Sequence, residues 1–561
     1  MKSLRVTIAA VFLLAAQHLA LPGAAAAQNT DVIRGRVTGP DDAPLENVVV
    51  TATSLSGNVN RTARTNRNGA YTITIPGGDG DYFVSFAALG YAARRFQVKR
   101  VADEDILIAD ARLQPVNAVL DPVEVRGARQ RPRRDDAAPD ASGTERTIAP
   151  TEVPPNQLGD LAAMAATLPG VESTTNPDGS TGFSVLGLGA DQNNATLNGM
   201  SFGGNDIPRD AAVTTSLVTS PYDVSRGGFS GAQLSLRTRG GSNFISRTNS
   251  FNFDSPAFQW TDATGRSLGQ EYTNGSLGGL VSGPIVYDRA FYNVSYQLGR
   301  RASGFESLIS ADPLGLAGAG ISDSVRGSLL ATLGAQQIPT LTGALTDSRI
   351  GDSGLLFGSL DLTSPSSTSG QAVNVAFNGS WGKQTPASGA VTEVPAFGGD
   401  RTNWRFGVQG RHSAFFGIGI LTETSVGVAA SKNHGRPYLG LPAGRVRVTS
   451  LLDEGPVQKV VSFGGNPTLD ATQRTTTLQA QNQLSWFSEN NKHRLKLATE
   501  LRHESADQLF ATNTLGTFTY NSLADLQATR PASFSRTLAP RERDASQLVA
   551  AFSLGDSYRP T

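Results

Sequence analysis

From Phe244 onward the chain alternates apolar and polar residues with a period of two, the repeat of a β-strand with one apolar face. In "FYNVSYQLG", Tyr292, Val294, Tyr296 and Leu298 alternate with Asn293, Ser295 and Gln297. In "QAVNVAFNGSWG", Val373, Val375, Phe377 and Trp381 oppose Asn374, Asn378 and Ser380. "NWRFGVQGR", "HRLKLATELR" and "QLVAAFSLGD" repeat the pattern through Trp404, Phe406 and Val408, through Leu495, Leu497 and Leu501, and through Leu548, Phe552 and Leu554. About ten such runs are expected, near 244–253, 274–283, 289–299, 354–362, 371–382, 402–411, 414–431, 472–487, 492–502 and 545–556, the seventh being longer than the rest. A soluble one-faced sheet would alternate likewise. The connections separate the two cases. Those after the odd-numbered runs are long, and those after the even-numbered runs are short ("PIVYDR", "RHS", "SENN"). Long loops at one end and tight turns at the other describe a membrane barrel, in which every backbone group must pair within a closed sheet.

The rest of the chain is compatible with that reading. Residues 1–27 have a basic start, an interrupted apolar stretch and the small run Ala24–Ala27, the pattern of a secretory signal peptide. The 561 residues include no Cys, so a small disulfide-stapled scaffold is excluded. Lys+Arg and Asp+Glu are both 48, and nothing global points to nucleic acid. A mean hydropathy of −0.20 does not argue against a barrel, because only alternate residues face lipid.

Residues 31–113 read as short strands divided by turn signals, which predicts a small sandwich. "GRVTGPDDAPLENVVVTAT" and "RTNRNGAYTITIPGGDGDYFVSFAALGY", through Gly35, Asn68-Gly69-Ala70-Tyr71 and Gly90-Tyr91, resemble the carboxypeptidase regulatory-like domain, an Ig-like module. The resemblance implies no peptidase activity. Residues 114–144 are rich in Pro, Arg and Asp and read as a linker. Its Arg cluster, Arg126 to Arg134, is read as solvated, since Asp135-Asp136 follow at once. Residues 145–243 form a second unit. In it "PNQLGDLAAMAATLPGV" places Leu158, Leu161, Met164, Ala165 and Leu168 on one helical face, and Leu234–Thr238 alternates as a strand.

"LAAMAATLPGV", "ATLNGM" and "YDVSRGGFSGAQLSLRTRGGSN" resemble the plug domain of TonB-dependent outer-membrane receptors, and "LGGLVSGPIVYDRAFYNVSYQLGRR" resembles their first barrel strands. The order regulatory-like domain, plug, barrel is similar to the Oar-like branch. The resemblance implies a mainly β chain: an Ig-like β-sandwich, a small α/β plug and an incomplete antiparallel transmembrane barrel over 244–561. It also implies a cell outer membrane location of the Gram-negative type, with the plug and N-terminal domain accessible to the periplasm. The implied partners are a TonB-type energy transducer in the periplasm, outer-membrane lipid and an imported ligand that the sequence does not identify.

"DPVEV" stands where such receptors carry the TonB box, after the regulatory-like domain and before the plug. Asp121, Pro122, Val123, Glu124 and Val125 are the candidate box residues. A lone extended segment in a linker can add its free N–H and C=O groups to the edge of a partner sheet. Pro122 has no N–H and belongs at the strand start or on its unpaired side. Family barrels have about 22 strands, so ten strands predict a truncated reading of a longer receptor, since an open sheet leaves two bare edges in lipid.

Enzyme readings fail on the residues. His412, His434, His493 and His503 make no HExxH or close pair, "GGFSGA" has Ala232 where G-x-S-x-G needs Gly, and "GLGADQ" lacks a βαβ context. No catalytic residue, metal ligand or cofactor is expected. The alternative to an importer is a surface structural or adhesion protein without transport, which would need neither a plug nor a box.

Overall fold

The "NRNG" turn shows how local sequence sets the first unit. Asn66 Oδ1 accepts from the backbone N–H of Asn68 and of Ala70, and Gly69 takes a left-handed φ of 72°. A side chain at 69 would also be obstructed, because its Cβ would lie 2.5 Å from the Val37 carbonyl oxygen. The structure is a computed structural model, and it describes residues 30–55, 59–76, 78, 80–100, 106–115, 145–155, 157–175, 181–202, 204, 206–219, 229–258, 272–343, 348–364, 370–416, 419–453, 455–488 and 493–558. The signal-peptide reading over 1–27 therefore lies outside the described residues.

The N-terminal module consists of β1 (Thr30–Thr38), β2 (Val49–Ser54), β3 (Asn60–Arg64), β4 (Ala70–Pro76), β5 (Asp81–Ala87), β6 (Arg94–Lys99), β7 (Ile106–Ile108) and β8 (Ala111–Arg112). They form two four-stranded sheets, one with β4, β1, β7 and β8, the other in the order β3-β2-β5-β6. Between them Ile33, Val50, Tyr71, Ile73, Val84, Phe86 and Leu113 make a closed core. Tyr71 meets Phe86 edge-on at 5.8 Å, and its hydroxyl donates to the Ala109 carbonyl at 2.7 Å, which satisfies the one polar atom it buries.

The second unit contains β9 (Glu145–Ile148), α1 (Leu161–Ala165), β10 (Val171–Thr175), β11 (Thr181–Val185), β12 (Asn194–Leu197), β13 (Met200–Ser201), β14 (Val213–Val218) and β15 (Gln233–Thr238). Asp160 caps α1, accepting from Ala162 N and Ala163 N, so the expected helix forms but is shorter than its apolar stripe. A mixed five-stranded sheet, β13-β12-β15-β14-β9, carries the core, and β10 and β11 form a separate hairpin. Leu161, Ala165, Leu234 and Leu236 are buried there together with Phe357 and Ala376 from the third unit.

The third unit is a single antiparallel sheet of ten strands. Its members are β16 (Ser246–Asp254), β17 (Tyr272–Val286), β18 (Ala290–Gly304), β19 (Ser348–Thr363), β20 (Ala372–Thr385), β21 (Gly399–Phe416) and β22 (Ile420–Pro437). After the hairpin β23 (Ala443–Leu452) and β24 (Gly455–Gly464) come β25 (Ala471–Phe487) and β26 (His493–Phe510). After β27 (Thr517–Tyr520) and β28 (Ser533–Ser535) comes β29 (Arg541–Tyr558). All ten expected runs are present, and most extend beyond the expected bounds.

Register keeps the two faces distinct across the wall. One outward row reads Phe377, Val408, Val428, Leu478, His503 and Leu548. The adjacent inward row reads Asn378, Gly407, Ala429, Thr477, Glu504 and Gln547. A slip of one residue at any strand would exchange the rows, so the pattern specifies the register. The expected turn at "RHS" is wrong. Arg411, His412 and Ser413 continue β21, which ends at Phe416, and β22 begins at Ile420 after Gly419 with φ 83°. The alternation runs on through that site, whereas "GIG" supplies the glycines a tight turn needs.

The long loops are folded together. In them lie α2 (Pro313–Gly318), α3 (Asp323–Ala335) and α4 (Leu523–Gln527), packed beside a four-stranded sheet, β24-β23-β27-β28. Leu308, Leu316, Leu329, Leu333, Val446, Val461 and Leu526 form their own buried core, so the long-loop end carries a compact cap. Asp312, Ser322 and Ser522 cap the three helices by accepting from backbone N–H groups.

The tightest backbone approach in the module is at Gly35, where a Cβ would lie 2.2 Å from the Ala109 carbonyl oxygen. Gly35→Ala is expected to cost the module about 1–3 kcal/mol by overpacking. Denaturant midpoints of the full chain in detergent, followed by proteolysis at 31–113, would show it; an unchanged midpoint would contradict the close contact.

Candidate functional site

The wall wraps the plug, and their joint surface is polar. Ser250 on β16 donates to Asp210, Gln297 on β18 accepts from Arg209 N, and Asp361 on β19 accepts from Gly241 N. Asn374 on β20 accepts from the Asn198 amide, Gln409 on β21 donates to Leu197 O, and Gln479 on β25 accepts from Ser201 N. Contacts from β16 round to β25 on one central unit require the sheet to curve around it. Each such bond is worth a net ~0.5–1.5 kcal/mol, so the set holds the plug by several kcal/mol while leaving partners that water can replace. The apolar share of the joint is small: Phe357 and Ala376 are the wall residues that join the plug core.

Above the plug residues Met200, Ser201 and Phe202 lies a cavity of about 540 Å³, bounded by β20, β21, β22 and β25. Its inward side chains are mainly amides and hydroxyls, among them Asn378, Ser380, Gln409, Thr477 and Gln479, with Arg401, Arg405 and Glu504 adding charge. Gly427 opens the wall for Met200, whose Cε would be 2.7 Å from a Cβ at 427. Such a lining can bind and orient a polar molecule. Among the described residues no group of three or more His, Asp or Glu could hold a metal ion.

Asp206 pairs in an isolated bridge with Asp160 at the edge of the plug. Crowding by protein and the adjacent Asp160 carboxylate push the Asp206 carboxyl up to about 6, against the opposing pull of Arg405. Part of its surface still opens to solvent.

The candidate box, Asp121, Pro122, Val123, Glu124 and Val125, lies outside the described residues. Its flanks are fixed: Leu113 is buried in the module core, and β9 begins the plug at Glu145. The rejected enzyme motifs have structural roles. Asn193 donates to Phe183 O and Gly189 O and accepts from Ala232 N, which ties "GLGADQNN" to "GGFSGA". A Cβ at Gly231 would lie 2.2 Å from Asn193 Oδ1, so the small residues there serve this junction. The four histidines sit on β21, β22 and β26 at separate register positions, His434 bonded to Thr472 and His493 to Asp556.

Sequence reasoning missed the cap. Its signal was present in "SDSVRGSLLATLGA", a Ser N-cap followed by Val325, Leu329 and Leu333 at helical spacing.

Residues 32–114 match the carboxypeptidase regulatory-like domain family. None of the curated proteins compared with the chain gives a significant match. Among solved structures, the outer membrane transporter YddB from Escherichia coli is similar at 13% identity and a TM-score of 0.47, over 74% of this chain and 55% of that one. The siderophore receptor PirA from Acinetobacter baumannii is similar at 14% identity and a TM-score of 0.43, over 65% of this chain and 48% of that one. FpvA from P. aeruginosa, solved with bound pyoverdine, is similar at 11% identity and a TM-score of 0.42, over 73% and 48%. The chain thus spans about half the length of these structures.

The raised Asp206 pKa fixes the sign of a pH effect. The folded plug holds this proton more tightly than the unfolded chain, so plug stability is greatest in acid, falls as pH rises through about 6, and is level above it. Solvent screening limits the effect to below ~1 kcal/mol. Asp206→Asn should flatten the dependence between pH 4.5 and 7.5, measured by unfolding midpoints; a slope that survives the substitution would assign it elsewhere.

Proposed function

We propose that the chain belongs to a TonB-dependent outer-membrane receptor, which binds a ligand at the cell surface and imports it with energy from the inner-membrane TonB complex. The observation that carries this reading is the ten-stranded wall with an apolar outer face, wrapped around a separately folded plug. On β20 the outward residues run from Val373 to Trp381, which at ~3.4 Å per residue and ~40° tilt is a band of roughly 21 Å. Aromatics mark both limits: Trp381 pairs with Trp404 toward the long loops, while Tyr287, Tyr292 and Trp486 lie toward the short turns. Lipid on the outer face and water inside account for both rows, and the short turns then face the periplasm.

In this reading the polar plug–wall joint supplies a seal that can be rearranged, and the cavity above Met200 lies on the ligand's route. Asp121–Val125 is the handle to which a periplasmic transducer adds its sheet edge. β29, at one edge of the wall, is exposed on both faces along most of its length. The folded cap supports a second reading, a surface adhesion protein, since it offers a stable platform outside the cell.

Two experiments test these points. Deleting Asp121–Val125 should abolish uptake, assayed by growth on a nutrient panel, while surface binding persists; unchanged uptake favours adhesion. Phe377→Arg, on the outer face in mid-band, should destabilise by ~2–4 kcal/mol in bilayers, whereas Ser380→Arg on the inner face should be tolerated. Equal penalties, read from folding yield in lipid vesicles, would argue against lipid on that face.

A further inference from the structure

Arg61 is a cation that neither the plug nor the ligand cavity explains. It lies on β3 of the N-terminal module, yet its side chain leaves the module and is 4% exposed. Its guanidinium carbon sits 4.5 Å from the centre of the Phe291 ring on β18, and Nη1 donates to the Gly241 carbonyl at 2.9 Å. Asp361 and Asp288 of the wall attract it. Gly241 is where the plug ends and the wall begins, and its own N–H donates to Asp361 at 2.9 Å. Only glycine fits there, because a Cβ would lie 2.1 Å from Phe291 Cβ.

From Asp361 the bonds continue into the plug. Asn374 donates to Asp361 at 2.7 Å and accepts from Asn198 at 3.2 Å, and Asn198 Oδ1 accepts from Thr238 N at the end of β15. The module also meets described residues beside two further short connections of the wall. Val32 and Ile106 pack on Phe415 and Leu421, with Arg34 over the Phe415 ring at 5.3 Å. Gly370 is pressed against Thr74, whose Cβ is 3.3 Å from the position of a Cβ at 370.

We propose that the N-terminal module is an autoinhibitory latch: docked against the periplasmic strand ends at Phe291, Gly370, Phe415 and Leu421, with Arg61 as its bolt, it holds the plug's last strand to the wall and has to lift off before the plug rearranges. The proposal rests on the plug-and-wall reading above. The seat is suited to release. Arg61 Nε and Nη2 have no hydrogen-bond partner in it, and the apolar contact at Phe415 is small. The candidate box begins within about 28 Å of extended chain from Leu113, so a pull on it loads the module as well as the plug.

The chain has no Cys, so an introduced pair reports only on itself. In the full chain, Thr74→Cys with Gly370→Cys places two Cβ atoms near disulfide range. The pair should cross-link fully under mild oxidant, and adding Arg61→Ala should slow cross-linking about tenfold. Amide exchange at 233–238 should quicken about tenfold in Arg61→Ala and equally on deletion of 30–113, and oxidation of the pair should restore protection. In cells, oxidation should block uptake and reductant should restore it. Failure to cross-link would remove the docked seat. Unchanged exchange in both Arg61→Ala and the deletion, or uptake unaffected by oxidation, would overturn the latch. If box deletion leaves uptake intact while exchange still responds to Arg61, the import reading has failed and the latch stands.

Discussion

The constraint on which the molecule depends is that the backbone N–H and C=O groups of the wall, the outer edges of β16 and β29 apart, pair with an adjacent strand. A strand of eighteen residues such as β21 exposes that many donors and acceptors, and each left unpaired in an apolar medium costs several kcal/mol. Pairing is therefore continuous from β16 to β29, and the ladders run through nearly whole strands. Once pairing is compulsory, the side chains are free to differ by face, and the sequence can be apolar outside and polar inside without disturbing the scaffold. Gly427 on the inward face then leaves room for Met200 of the plug.

That constraint is why the wall was legible in the sequence and the rest less so. A period of two is a property of each strand alone, so Tyr292–Leu298 or Leu495–Leu501 can be recognised without knowing what lies beside them. The junction between β21 and β22 was misplaced because "RHS" looks polar, although alternation continues through Arg411 and Ser413; the glycines six residues on carried the better signal. The module followed from turn chemistry at Asn66–Gly69, which is also local. The cap and the Arg61 seat depend on residues distant in sequence: Leu308, Val446 and Leu526 meet only after three loops converge, and Arg61 meets Gly241 across 180 positions. No single window contains either fact.

The distribution of apolar contact distinguishes the folded units from the joints between them. The module, plug and cap each have a closed core, with Phe86, Leu234 and Leu329 fully buried. Losing such a core residue to Ala costs ~2–5 kcal/mol, so each unit resists unfolding when pulled. The joint between plug and wall is made mostly from amides and carboxylates bonded to backbone, where water can replace each partner at small net cost. A force applied to the linker therefore meets a sequence of resistances in which joints yield before units do.

The choice of arginine at 61 follows the same logic. An apolar residue against Phe291 would seat the module more firmly, since a buried charge costs several kcal/mol that its partners only partly offset. Arginine spreads its charge over a plane that stacks on the ring, and its fork can reach Gly241 O while Asp361 attracts it. The result is specific in geometry and moderate in strength. A cation that regains full hydration on leaving the seat lowers the cost of departure relative to a methyl or phenyl group, which would expose apolar surface. A contact built this way closes reliably at rest and opens under load, whereas a hydrophobic seat of the same area would make the module a permanent part of the wall.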